Sequence, residues 1–264
     1  MTVKDILNCI TEVAPLHWQE SYDNAGLQVG DLNAEAHKAL ICLDITEEIV
    51  DEAVARNCNV IVSHHPLIFR GLKHLTPETY IERAVMKAVK HDIAMISMHT
   101  NLDNSHLGVS RVLADRLGLK NLHLLQPSAA EPELCGVGMV GEFEIPMEEI
   151  DFLNLVSKTI GSPCLRHSEL TRRKIQKVAL CGGSGSPFMQ EALSQNVDAY
   201  LTADIKYHDF FVPEGNILLV DGGHFETEQF TKELICALIQ KKFPNFAAEI
   251  AETRTNAVYY YVNN

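Results

Sequence analysis

The chain has 264 residues, with 22 Lys and Arg against 35 Asp and Glu, a formal net charge of −13. That charge argues against a nucleic-acid backbone or an anionic membrane surface as the main partner, and no apolar run approaches the roughly 18 residues of a membrane span. With 46% hydrophobic and 22% charged residues, the composition supports a packed core rather than disorder.

Taken in chain order, apolar runs alternate with amphipathic stretches. Ser21-Tyr-Asp-Asn-Ala-Gly-Leu-Gln-Val-Gly30 is a turn followed by a strand. Residues 38–43 read as a buried strand, 47–56 as a helix capped by Thr46, and 59–63 as a strand. A helix over 77–90 with Thr76 as its cap, a strand over 93–97 and a helix over 106–117 ended by Gly118 follow. The small, polar, proline-bearing stretch 126–133 reads as a linker. Beyond it, strands are predicted over 137–143, 175–181, 199–201 and 217–220, helices over 146–160, 187–196 and 225–241, and a last β-favouring run over 258–262. The seven cysteines form no C-x-x-C pair and read as buried thiols of a reducing compartment. With an N-terminus that mixes charges into its apolar residues, they make the cytoplasm the expected location.

The two halves match each other. Residues 38–66 lie over 177–205 at a constant offset of 139 with no gap, so that Cys42 meets Cys181, Asn57 meets Asn196 and Ser63 meets Thr202. Each half later has a strand followed by His-x-x-x-carboxylate, His99 with Asp103 and His224 with Glu228. The expected fold is α/β: two related lobes, 1–125 and 126–264, each three-layered with a mostly parallel sheet. They would face each other across a cleft formed by the carboxyl ends of the strands.

Chemistry concentrates at those strand exits. Ser63-His-His-Pro66 places two histidines after a strand. On extended backbone they point apart, toward two ions, whereas an irregular turn would bring them to one; a buried and a surface histidine without a metal is the structural alternative. On the helix opened by Asp221-Gly-Gly-His224, His224 and Glu228 share a face. Three strand exits carrying histidine and carboxylate suit two divalent ions sharing a carboxylate rather than one tetrahedral zinc. Gly182, Gly183, Ser184 and Gly185 form a turn that either presents amides to an anion or requires positive φ. Asp204 and His208 stand as candidates to orient ligands or move protons, against a helix cap and a surface histidine. Asp23 and Asn24 either orient ligands and bind substrate or close a turn on their own backbone.

Read together, Tyr22-Asp-Asn-Ala-Gly-Leu-Gln-Val-Gly30, Ser63-His-His-Pro-Leu-Ile-Phe69, His99-Thr-Asn-Leu-Asp103, Gly182-Gly-Ser-Gly185, Thr202-Ala-Asp-Ile-Lys-Tyr-His208 and Asp221-Gly-Gly-His-Phe-Glu-Thr-Glu228 resemble, in order and almost end to end, the dinuclear-metal-centre family of GTP cyclohydrolase I type 2 homologues. Position 22, often tryptophan in that family, is tyrosine here, and the domain that longer members insert between the halves is absent. The resemblance implies two divalent ions per chain (Zn, Fe, Mn, Co or Ni) held by His64, His65, Asp103, His224 and Glu228, with Asp103 and Glu228 bridging and His99 beside the pair. It implies a toroidal homohexamer and a hydrolase whose metal-activated water opens the ring of a nucleotide or related small molecule. His99, His208 or Asp204 would serve in proton transfer, and Arg70, Lys73 or Lys206 would meet a phosphate. Phosphoester cleavage and a non-catalytic, metal-buffering assembly are the competing functions.

Overall fold

The computed structural model describes residues 1–261. In chain order the elements are α1 (Val3–Thr11), β1 (Gly26–Val29), β2 (Lys38–Cys42), α2 (Glu47–Ala55), β3 (Val60–Ser63), α3 (Tyr80–Lys90), β4 (Ala94–Ser97), α4 (Thr100–Asp103), α5 (Val109–Leu117), β5 (Lys120–Pro127), β6 (Gly136–Met147), α6 (Glu149–Ile160), β7 (Arg166–His167), β8 (Ile175–Leu180), α7 (Met189–Ser194), β9 (Ala199–Thr202), β10 (Leu218–Asp221), α8 (His224–Glu228), α9 (Thr231–Lys242) and β11 (Ala247–Ile250). Short 3-10 turns lie at Leu16–Trp18, Ser186–Phe188 and Tyr207–Phe211. Residues 258–261 carry neither helix nor strand, and Val262 of the expected final run lies outside the described residues. Among the described residues no helix is long and apolar enough to cross a membrane.

The chain divides into two compact units, Met1–Leu102 with Thr231–Ala257, and Asp103–Phe230 with the described residues from Val258 onward. The first unit holds a sheet in the order β1-β4-β3-β2-β11. β4, β3, β2 and β11 run parallel and β1 closes one edge antiparallel. Alternate residues of β2 face opposite ways: Leu40 and Cys42 pack with Ile49, Ala53, Ala84 and Ala88 of α2 and α3, and α9 covers the other face with α1 against it. This unit has the expected three layers.

In the second unit the sheet order is β5-β6-β8-β9-β10-β7. Only β8, β9 and β10 run parallel there, while β5/β6, β6/β8 and β10/β7 are antiparallel, so this sheet is mixed. The cause is local. The stretch expected to link two lobes instead closes a long hairpin from β5 to β6, with Ser128 N–H donating to Cys135 O at 2.8 Å, and a connection that short can only join antiparallel strands. Val178, Leu180, Leu201 and Val220 pack under α5 and α6, whereas Ala179, Cys181, Tyr200 and Leu219 face Met189 and Ala192 of α7.

The internal repeat is present in backbone detail. β3 and β9 occupy the offset positions residue for residue, and Ala39 pairs with Val60 as Val178 pairs with Ala199. Asn57 and Asn196 both turn through positive φ, 54° and 52°. Asn59 Oδ1 accepts from the N–H of Lys38 as Asp198 Oδ2 accepts from that of Lys177. In each unit three neighbouring parallel strands therefore deliver their following loops to one sheet edge.

Candidate metal centre

In the first unit the strand exits carry Asp44 after β2, His64 and His65 after β3, and His99 after β4. The chain bends at His64 and His65 rather than staying extended, and Ser63 Oγ donates to His65 O at 2.7 Å across the bend. Both rings thereby turn the same way. Their centroids lie 4.8 Å apart, and a ring nitrogen of each comes within 4.8 Å of one on the other. His99 completes a triangle of imidazoles, 5.4 Å from His64 and 5.5 Å from His65.

Each ring has its Nδ1 committed. His64, fully buried, has Nδ1 at 2.8 Å from Met98 O. A carbonyl oxygen only accepts, so Nδ1 carries the hydrogen and Nε2 keeps the lone pair. His65 Nδ1 is 2.7 Å from Asp44 Oδ1 and His99 Nδ1 is 2.8 Å from Asp23 Oδ1. An oxygen acceptor fixing one ring nitrogen while the other points away is the arrangement of metal-ligating histidine. Burial pushes the Asp23 carboxyl up, but hydrogen bonds from His99 and Thr100 outweigh it and bring it down to about 2. Burial likewise opposes ionisation of Asp44, and His65 overrides it and lowers that carboxyl. Asn24 Nδ2 donates to Ile68 O at 2.6 Å, so the segment before β1 also fixes the His-His loop.

The second unit carries Asp103, Asp204, His224 and Glu228. His224 sits between two carboxylates, with Nδ1 2.7 Å from Asp204 Oδ2 and Nε2 3.0 Å from Glu228 Oε2. Burial opposes a charge on this ring, but the bonds to Asp204 and Glu228 prevail and raise it to about 11. A proton now balances charge there that a cation is suited to balance. Asp204, at φ 56°, is lowered by its bond to His224 and also accepts from Ser184 Oγ. Glu228 is buried, and its carboxylate lies against Gly183 where a Cβ would otherwise stand. Burial, with Asp103 and Glu228 nearby, pushes the Cys181 thiol up.

The amides of Gly182, Gly183 and Gly185 donate to Ser110 Oγ, Thr227 Oγ1 and Thr202 Oγ1 at 3.3, 3.0 and 2.8 Å. Those three amides are committed to the protein's own hydroxyls, and Gly183, at φ +62°, leaves room in the turn for Glu228. His208 is exposed on the 3-10 turn Tyr207–Phe211, with its ring among those of Tyr207 and Phe211, and among the described residues no contact ties it to either histidine set. Arg70, Lys73 and Lys206 are exposed. Six of the seven cysteines are buried and Cys164 is exposed. The residue the sequence reading passed over is Asp44. Its signal was its position, two residues beyond a strand parallel to those that deliver the histidines.

The sequence pattern of the family described as Duf34/NIF3 (NGG1p interacting factor 3) matches residues 1–257. A Clostridium acetobutylicum protein named GTP cyclohydrolase 1 type 2 homolog is 34% identical over 231 residues, 86% of this chain and 85% of its own. A Campylobacter jejuni protein of the same name is 30% identical over 267 residues, 99% of this chain and all of its own. The crystal structure of a Staphylococcus aureus hypothetical protein superposes with a TM-score of 0.91 at 28% identity, covering 99% of both chains. On these grounds the chain belongs to the Duf34/NIF3 family.

Proposed function

We propose that the protein is a metal-dependent hydrolase that binds two divalent ions through His64, His65, Asp103, His224 and Glu228 and acts on a nucleotide or a related small molecule. The observation that carries the reading is the buried His64 ring, whose Nδ1 is fixed on Met98 O so that Nε2 is the donor atom. The names of the relatives at 34% and 30% identity point the same way. Nitrogen and carboxylate donors in this mixture suit Zn, Fe, Mn, Co or Ni. Two such ions, when bound, supply activation of water near neutral pH and stabilisation of developing negative charge.

The chain's own residues have separable tasks. Asp44 and Asp204 orient His65 and His224 through their Nδ1 atoms. Gly183 gives the Glu228 carboxylate its place, and Asp103 and Glu228 would supply the carboxylate oxygens that hold the ions. Asp23 holds the hydrogen on His99 Nδ1, which leaves His99 Nε2 to take a proton from the attacking water and return it to the leaving group. The working form in this reading is a homohexameric toroid.

Metal content by elemental analysis, beside assays of GTP and simple phosphoesters, tests the proposal. The wild type is expected to carry two ions per chain and to open the guanine ring. His64→Ala and Glu228→Ala are expected to lose turnover, and Asp103→Ala to lose metal. Phosphate release without ring opening would make the protein a phosphoesterase. A metal-loaded protein inert across the panel would make it a metal-holding assembly, and unchanged metal in Asp103→Ala would remove that residue from the site. Light scattering of the eluting protein reads the oligomer.

A further inference from the structure

The second unit contains a cavity of about 530 Å³ that shares no lining residue with the histidine sets. Its size is in the range of small-molecule sites. Arg166, His167, Tyr207, Phe210, Phe211 and Pro213 line it. Tyr207 and Phe211 are 72% and 64% exposed, and their ring centroids stand 5.6 Å apart, edge to face. Arg166 is held in place from behind. Its Nη2 donates to Ile205 O at 2.8 Å and pairs with the buried Asp221 carboxylate, while its guanidinium carbon lies 5.4 Å from the centre of the Phe210 ring. Asp221 is itself fixed by the amides of Ile205 and Gly223 at 3.1 and 3.0 Å. Among the described residues these bonds all use Nη2, so the remaining N–H groups of a side chain that is 56% exposed can meet a ligand.

A guanidinium fixed at one end and open at the other, beside exposed aromatic rings, selects for charge and planarity together. Glu169 and Glu214 also line the cavity and repel anions, which disfavours a ligand with two negative charges more than one with a single charge. We infer that this cavity is a binding site for a small, planar, aromatic monoanion, with its carboxylate on Arg166 and its ring against Tyr207 and Phe211. His208, whose ring stands among those of Tyr207 and Phe211, belongs to the border of this site. The inference is independent of the metal reading.

Titration of the full-length protein with benzoate, benzamide and cyclohexanecarboxylate, followed by saturation-transfer NMR, tests it. Benzoate is expected to bind roughly tenfold or more tightly than benzamide, which lacks the charge, and than cyclohexanecarboxylate, which lacks the flat ring. Arg166→Lys keeps a charge for Asp221 but loses the fork, and is expected to weaken benzoate roughly tenfold. Phe211→Ala alters a mostly exposed side chain, leaves the fold intact, and is expected to weaken benzoate several-fold while leaving its preference over benzamide. The inference is overturned if benzoate does not bind, if the three probes bind alike, or if folded Phe211→Ala binds benzoate as the wild type does.

Discussion

A Cβ on Gly183 would collide with Glu228 Oε1, and the residue sits at φ +62°, where side chains are strained in any case. Gly161, the C-cap of α6, has nearly the same φ, +66°, but a Cβ there would meet nothing within 4 Å. The pair separates backbone strain from collision. Gly161→Ala is expected to cost about 1 kcal/mol and to leave bound metal at the wild-type ratio. Gly183→Ala is expected to cost about 1–3 kcal/mol more and to lower metal content, because the carboxylate must move. Urea unfolding beside elemental analysis reads both. Equal metal content in the two variants would mean that the glycine serves the turn and not Glu228. At this scale the histidines and carboxylates were legible because they stand in strand–loop positions repeated along the chain. Asp44 was not, since one aspartate after a strand resembles any solvated turn.

Among the elements, α2 shows how one side chain can tie distant chain segments together. Glu52 accepts from the amides of Glu252 and Thr253, both at 2.9 Å, and from Arg56 Nη1 at 2.7 Å. Burial pushes this carboxyl up, but the bonds from Thr253, Glu252 and Arg56 prevail and lower it from 4.5 to about 2. A carboxyl depressed in the folded state contributes stability that is complete above its unfolded value and lost as pH falls through the folded one. Glu52→Gln is therefore expected to lower stability at pH 7 by about 1.5–3 kcal/mol. Urea unfolding should show that difference shrinking as pH falls from 4.5 and vanishing below about 2. A constant difference across that window would make the role of Glu52 one of packing. Element boundaries were less legible than such anchors. α3 starts at Tyr80 because Thr79 and Glu82 cap each other reciprocally, not at the proline after Thr76. β5 escaped notice because only Leu124 and Leu125 of its eight residues are buried, so its strand character comes from pairing with β6. The stretch read as one helix over 225–241 breaks between α8 and α9, where Phe230 enters the core of the second unit and Thr231 begins the return to the first.

For the molecule as a whole, the repeat was readable and the return of the chain was not. The 139-residue offset predicts βαβ segments whose pairing registers coincide, because equal spacings between strands leave equal registers. Nothing in 231–250 marks those residues as part of the first unit: an amphipathic helix and a short strand fit either sheet. Yet β11 pairs from Ala247 to Ile250 with Lys38 to Ile41 of β2, and α9 buries Ile235, Cys236 and Ile239 on this unit. Without them β2 becomes an open edge and one face of the sheet loses its cover. The second unit, by contrast, holds both of its apolar clusters within the continuous stretch Asp103–Phe230. A fragment of residues 103–230 is therefore expected to fold alone, with dispersed amide resonances and a cooperative thermal transition. Residues 1–102 alone are expected to do neither, and to gain both when 231–257 are supplied in trans or by fusion. A cooperative transition from residues 1–102 by themselves would show that β11 and α9 decorate a sheet already complete.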